Sequence, residues 1–323
     1  MDRRLFIGTI SGGLVAAAVA ARAQQPAMPA FGILLAFSSD AGKTFTKPLR
    51  ADMEALGYVE GRNIAFDVRY AGGRVERLPT LAVELVAQRP TVIATFGDAA
   101  ALAAKAATSE IPIVAMSEDL VRAKIVTNMA RPEGNITGLS ILGTELDAKR
   151  LEILAEVLPA NSAILLLGDA TTHRESRPAL NATARRLGVT LHEAVVSTPE
   201  EIDRAFRSAK QRGIAGVNVL SSAFLYAFRE RIVSLANEAG LATIFQWPET
   251  AEDGGLLAYG PSLLAAFRHV ATLVAKILQG VKPRDIPVEQ PTRFALYVNF
   301  NTARAQGLTL PPELLLRADR VIE

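Results

Sequence analysis

Short apolar runs alternate with stretches of helical periodicity along almost the entire chain, and no other feature restricts the fold as much. Strand followed by helix, repeated, points to a parallel sheet, because parallel neighbours need a crossover and the crossover helices cover both faces. The first half reads as strands over 31–37, 63–69, 91–95 and 111–115, with helices over 46–56, 75–88 and 99–107. From Gly143 the pattern restarts with a helix to 158, a strand at 163–167 and a helix ending at Leu187-Gly188. It continues with a strand at 189–194, a helix over 200–212, a strand at 216–220, a helix to Ala239-Gly240 and a strand at 242–245. The fold class expected is α/β, with two doubly wound parallel-sheet lobes whose sequences are too dissimilar to be a repeat.

Three stretches look able to cross between the lobes. Residues 131–138 are rich in turn formers and read as a solvent-facing linker; 254–260 precede a long helix over 262–278; 287–292 are extended and carry two prolines. Three crossing strands would make a hinge. The resulting division assigns 24–137 plus 259–285 to an N-terminal lobe and 138–258 plus 286–323 to a C-terminal lobe.

The first 25 residues read as an export signal. Arg3-Arg4 precede a soft apolar run from Leu5 to Ala20, followed by Ala21-Arg22-Ala23 and polar Gln24-Gln25. A basic start, an apolar middle and small residues before the scissile bond define a cleavable signal peptide over 1–23 and place the mature protein in the periplasm. Arg3-Arg4-Leu5-Phe6-Ile7 also resembles a twin-arginine signal, with Asp2 where Ser or Thr is usual, so Sec and twin-arginine routes both stay open. An uncleaved anchor needs about 20 strongly apolar residues, whereas Gly8, Thr9, Ser11, Gly12 and Gly13 dilute this run.

Cleavage after Ala23 leaves 32 basic and 32 acidic residues. That balance, with no basic block, gives no footprint for nucleic acid. The absence of cysteine excludes disulfides, thiolate catalysis and cysteine-ligated zinc.

In doubly wound sheets ligands sit outside the carboxyl ends of the strands, where helix N-termini offer free N–H groups. That rule selects Ser38, Ser39 and Asp40, then Phe96, Gly97 and Asp98, then Met116, Ser117, Glu118 and Asp119. In the second half it selects Gly168 and Asp169, Ser221 and Ser222, and Gln246 and Trp247, with Tyr259 as a further stacking surface. Small, hydroxylated, acidic and aromatic side chains together suit a small polar or aromatic solute. Ser39, Asp40, Asp98 and Ser222 also stand just before helices, where they would serve as N-caps without any ligand. Trp247 and Tyr259 would equally serve as core aromatics.

Catalytic patterns are weak. Ala41-Gly42-Lys43-Thr44 ends like a phosphate loop, but the first glycine that the loop needs falls on Phe37. There is no GxGxxG and no GxSxG, and His173, His192 and His269 lack metal-ligand spacing. No cofactor and no metal is expected, and no enzyme.

Many short stretches carry a family resemblance in one order along the chain. They include Gly57-Tyr58-Val59-Glu60-Gly61-Arg62-Asn63, Arg77-Leu78-Pro79, Ala103-Ala104-Lys105-Ala106-Ala107-Thr108 and Ile111-Pro112-Ile113-Val114. Ala21-Arg22-Ala23-Gln24-Gln25, Arg131-Pro132, Gly134-Asn135, Thr137-Gly138, Lys149-Arg150-Leu151-Glu152, Tyr259-Gly260, 287–292, Gly307-Leu308-Thr309 and Arg317-Ala318-Asp319 complete the set. The chain resembles the ABC transporter substrate-binding proteins that include tryptophan and tyrosine binders, of the periplasmic binding protein type I fold. The resemblance implies two lobes that close on a small-molecule solute and present it to an inner-membrane ABC permease, with a monomer expected. A periplasmic sensor feeding a receptor kinase or chemoreceptor is the alternative.

The strand-end loops depart from the family. Asp119 matches a frequent acidic residue, but Glu118 replaces the usual Ser or Gly. Gly168-Asp169-Ala170 stands for Asn-Pro-Asn, Ser221-Ser222-Ala223 for Ala-Asp-Pro, and Pro248 for the arginine that often follows the aromatic at Trp247. Losing that guanidinium removes a bidentate clamp for a carboxylate, and Glu118 points instead to a cationic or multi-hydroxyl group.

Overall fold

The computed structural model describes residues 28–323, without the side chains of 41, 44, 170, 171 and 173–176, so the signal peptide expected over 1–23 lies outside the described residues. Strands β1 (Ala30–Leu35), β2 (Ala65–Tyr70), β3 (Val92–Phe96), β4 (Ile113–Ser117) and β5 (Ile136–Ser140) form a parallel sheet in the order β2-β1-β3-β4-β5. Every residue of β3, β4 and β5 is buried, which is why these runs are continuously apolar or small and do not alternate. Leu49 and Met53 of helix Ser39–Ala55 and Phe267 and Val270 of helix Leu263–Leu278 pack on one face. Leu78 and Leu85 of Leu78–Ala87 and Ala100 and Ala104 of Asp98–Ala107 cover the other.

The second sheet has the order β12-β11-β10-β9-β8-β6-β7. Strands β6 (Ala163–Gly168), β7 (Thr190–Val195), β8 (Gly216–Val219), β9 (Ala242–Phe245) and β10 (Leu257–Gly260) are parallel. β11 (Ala295–Asn299) runs antiparallel to β10, and β12 (Arg320–Ile322) pairs parallel with β11. Leu151, Leu154 and Leu180 fill one face; Ile202, Phe206 and Ile232 fill the other. The two doubly wound lobes expected from the strand–helix alternation are therefore present.

The linker expected over 131–138 is corrected at its end. Within it only Gly134-Asn135 form a turn; residues 136–140 are the buried edge strand β5. Polar Thr137 is accommodated because its hydroxyl donates to the carbonyl of Ile286 at 2.8 Å. Gly138 is required there, since a Cβ would overlap the Ala115 carbonyl. The first helix also begins earlier than expected, at Ser39, and absorbs the phosphate-loop-like stretch. Gly42 sits within it against the Tyr70 ring, and Lys43 pairs with Asp40 at 2.8 Å.

The sheets place Gly138, Leu139 and Ser140 with the first lobe and Tyr259 and Gly260 with the second, so the chain passes between lobes at 141–143, 261–262 and 290–294. The third passage is pinned beside β5 by Glu289 N–H to Gly138 O (3.0 Å) and Ser140 N–H to Glu289 O (2.9 Å). Arg150, with no exposed surface, fastens the first passage to the second lobe. Its guanidinium donates to Gly143 O (2.5 Å), Asp147 Oδ1 (2.5 Å) and Tyr259 O (3.1 Å).

Candidate functional site

The carboxyl ends of both sheets face one cavity of about 570 Å³. Its walls come from the segments after β1, β2, β3, β4 and β5 on one side and after β6, β7, β8 and β9 on the other. The lobes touch across it. Ser221 Oγ donates to Glu118 Oε1 at 2.5 Å, and the rings of Phe45 and Tyr226 meet edge to face with centroids 5.8 Å apart.

After β3, Gly97 (φ 87°) turns the chain into helix Asp98–Ala107, and the Asp98 carboxylate lines the cavity while accepting from the Ser117 hydroxyl. Burial pushes the Asp98 carboxyl above its ordinary value, and the Ser117 bond partly offsets this. After β4, Met116, Ser117 and Glu118 line the cavity. Glu118 is half-buried, and burial of its carboxyl, with Asp147 and Asp98 adding to it, pushes the group up to about 7 against the pull of Ser221 and Arg150. Its Oε2 is buried and has no hydrogen-bond partner, as is Gln246 Nε2. Both atoms and Ser221 Oγ crowd the spot where a Cβ on Gly143 would project, so the first passage needs glycine there for lack of room.

On the second lobe Asp169 caps helix Ala170–Leu187, accepting from Thr172 N–H at 2.9 Å, and takes the Ser222 hydroxyl at 2.7 Å. Ser222 in turn caps helix Ala223–Ala227. For Ser222 the capping and lining readings therefore hold together, while the cap at Asp169 is added by the structure. Trp247, 6% exposed, lines the cavity with its ring edge-on to Tyr226 at 6.2 Å.

Phe96, Gly97, Asp98, Met116, Glu118, Asp169, Ser221, Ser222 and Trp247 thus come together from the strand-end selection, with Ser117 and Gln246. Six others lie elsewhere. Ser38, Ser39 and Asp40 are exposed at the start of the first helix. Asp119 Oδ1 accepts from the N–H groups of Val121 (2.9 Å) and Arg122 (3.0 Å), closing a turn outside the cavity. Gly168 is buried as the last residue of β6, and Tyr259 packs on the second lobe's core.

Sequence reasoning did not select Phe37, Phe45, Phe224, Tyr226 or the segment 195–197, all of which line the cavity. Phe45 was legible as one member of the spacing Phe45, Leu49, Met53, which is the buried face of its helix. Among the described residues no group of three or more His, Asp or Glu side chains could hold a metal.

Two α/β lobes, three passages and a cavity shared between strand ends define a two-lobed solute receptor. The chain belongs to the ABC transporter substrate binding protein family, matching it over residues 31–322. A tyrosine-binding protein of Clostridioides difficile is 25% identical over 269 residues, covering 82% of this chain and 76% of that protein. A conserved domain protein of Vibrio cholerae superposes with a TM-score of 0.81 at 24% identity, covering 91% of this chain and 99% of that one. The ABC domain from Streptococcus pneumonia in complex with L-Trp does so with a TM-score of 0.77 at 20% identity, with the same coverage.

Proposed function

We propose that this chain is the exported, non-catalytic receptor of an ABC importer. It holds a small solute between its lobes, moves about the three passages and delivers the closed form to an inner-membrane permease. The observation that carries this reading is the shared cavity, whose walls meet through a hydrogen bond and ring contacts from opposite lobes. Such contacts exist only when the lobes are together, so a ligand that bridges them favours the closed arrangement. Relatives described as binding tyrosine and L-Trp support a solute of that size, and the aromatic walls support a ring. The ligand-facing set we propose is Phe96, Gly97, Asp98, Met116, Glu118, Asp169, Ser221, Ser222 and Trp247. A thermal-shift screen identifies ligands, because a compound that binds only the folded state raises the melting temperature. With a saturating ligand from that screen, small-angle scattering should show a smaller radius of gyration; an unchanged radius refutes closure.

A further inference from the structure

We propose that the cavity takes an organic cation, a solute with an aromatic or apolar body whose protonated amine sits at Glu118 and Asp98 and which carries no carboxylate of its own. The inference rests on the solute-receptor reading and adds the charge of the ligand. Its first support is the state of Glu118. One carboxylate oxygen is taken by Ser221 of the opposite lobe, while the other is buried without a donor, in a residue that lines the cavity. A buried acceptor left unmade costs free energy; a ligand N–H supplies a donor there, in competition with the unpartnered Gln246 Nε2 that crowds the same spot.

The second support is the company that Glu118 keeps. Asp98 lines the same cavity, and its carboxyl and that of Asp147 each disfavour ionisation of Glu118; a cation between Glu118 and Asp98 reverses that repulsion. Among the described lining residues there is no Lys, Arg or His. Arg150 is occupied by Asp147, Gly143 O and Tyr259 O, and Arg229 by Asp253 (2.7 Å) and the Tyr226 ring. A carboxylate on the solute would meet a lining whose described charges are all negative, with Arg122 and Arg150 acting on Asp98 and Glu118 from outside that lining. The walls complete the fit, since Phe45, Phe96 and Trp247 line the cavity with apolar rings that suit the body of such a solute.

The test compares compounds that share a ring and differ only in charge. Tyramine, tyrosine and 4-hydroxyphenylacetate, with the matching indole series, are titrated into the mature chain by calorimetry and by the fluorescence of Trp247, the only tryptophan. The amines should bind about tenfold or more tighter than the zwitterions and the acids, and tighter at pH 8 than at pH 6, as Glu118 ionises. Glu118→Gln should lower amine affinity by about tenfold or more and flatten its pH dependence. Asp119→Asn, outside the cavity, should leave both unchanged, and circular dichroism melts show that each variant is folded. Preference for the zwitterion or the acid overturns the proposal, as does unchanged amine affinity in folded Glu118→Gln. Failure of both amines to bind overturns it too, while the solute-receptor reading is judged separately, by compaction with whatever compound raises the melting temperature.

Discussion

Replacing Arg150 by Met should cost the fold about 3–5 kcal/mol. Arg150 and Asp147 are wholly inaccessible, and their 2.5 Å contact is charge-assisted. Methionine keeps much of the apolar stem but removes the charge. It strips Asp147 of this cation and withdraws donors from the carbonyls of Gly143 and Tyr259. Breaking a buried ion pair from one side typically costs about 3–5 kcal/mol, because the remaining charge stays desolvated. The carbonyls add about 1 kcal/mol each at most and are not independent of the pair, which places the expectation in the upper part of that range. Urea unfolding followed by far-ultraviolet circular dichroism measures it, with an unchanged m-value showing that the exposed surface is the same. The double variant Asp147→Asn/Arg150→Met should be more stable than Arg150→Met alone, since no charge is then left buried at this pair. A single variant within about 1 kcal/mol of wild type, or a double variant no better than the single, would refute this account of the clamp.

Gly143→Ala should fold, because φ −63° suits any residue, yet its methyl must displace Ser221, Glu118 or Gln246. Losing the Ser221–Glu118 bond should weaken solute binding about tenfold or more by calorimetry; wild-type affinity would show that these groups yield freely. Glu118 should also make stability fall with rising pH. Its carboxyl ionises near 4.5 when unfolded but only near 7 when folded, so the unfolded state gains an advantage between those values and none beyond. Unfolding free energies at pH 5.5 and 8 should therefore differ less in Glu118→Gln than in wild type, and equal differences would assign the effect to other groups. N-terminal sequencing of periplasmic material should begin at Gln24, and intact Met1 on membrane-bound protein would contradict the signal reading.

The architecture was legible because both sheets are built mainly from parallel strands buried on two faces. Runs such as Val92–Phe96, apolar but for buried Thr95, and Ala163–Gly168 do not alternate, and the helices between them keep a clear period. The strand Ile136–Ser140 was not, for a physical reason. Its residues are Ile, Thr, Gly, Leu and Ser, and two of these, Gly138 and Thr137, are chosen by the space beside Ala115 and by Ile286, contacts invisible to local pattern. The antiparallel pairing of Ala295–Asn299 with Leu257–Gly260 is hidden in the same way, since it joins segments far apart in sequence.

The site divides along the same line. The carboxyl-end rule needs only the position where a strand stops, and it reached Asp98, Glu118, Asp169, Ser221 and Trp247 because each lies within a few residues of such an end. It does not say which way the next side chain turns. Ser38, Ser39 and Asp40 stand three to five residues beyond the end of β1, whereas Asp98 stands two beyond β3; after β1 it is Phe37 that faces the cavity, and the polar residues face water. Adjacent Glu118 and Asp119 part company at one peptide bond, the first meeting Ser221 of the other lobe, the second closing its own turn. Phe45 and Tyr226, mid-helix and on different lobes, become site residues only once the lobes meet. The sequence therefore carries the cavity's polar rim through local rules, whereas its aromatic floor and the cross-lobe bond at Glu118 arise from an approach between lobes that no single segment encodes.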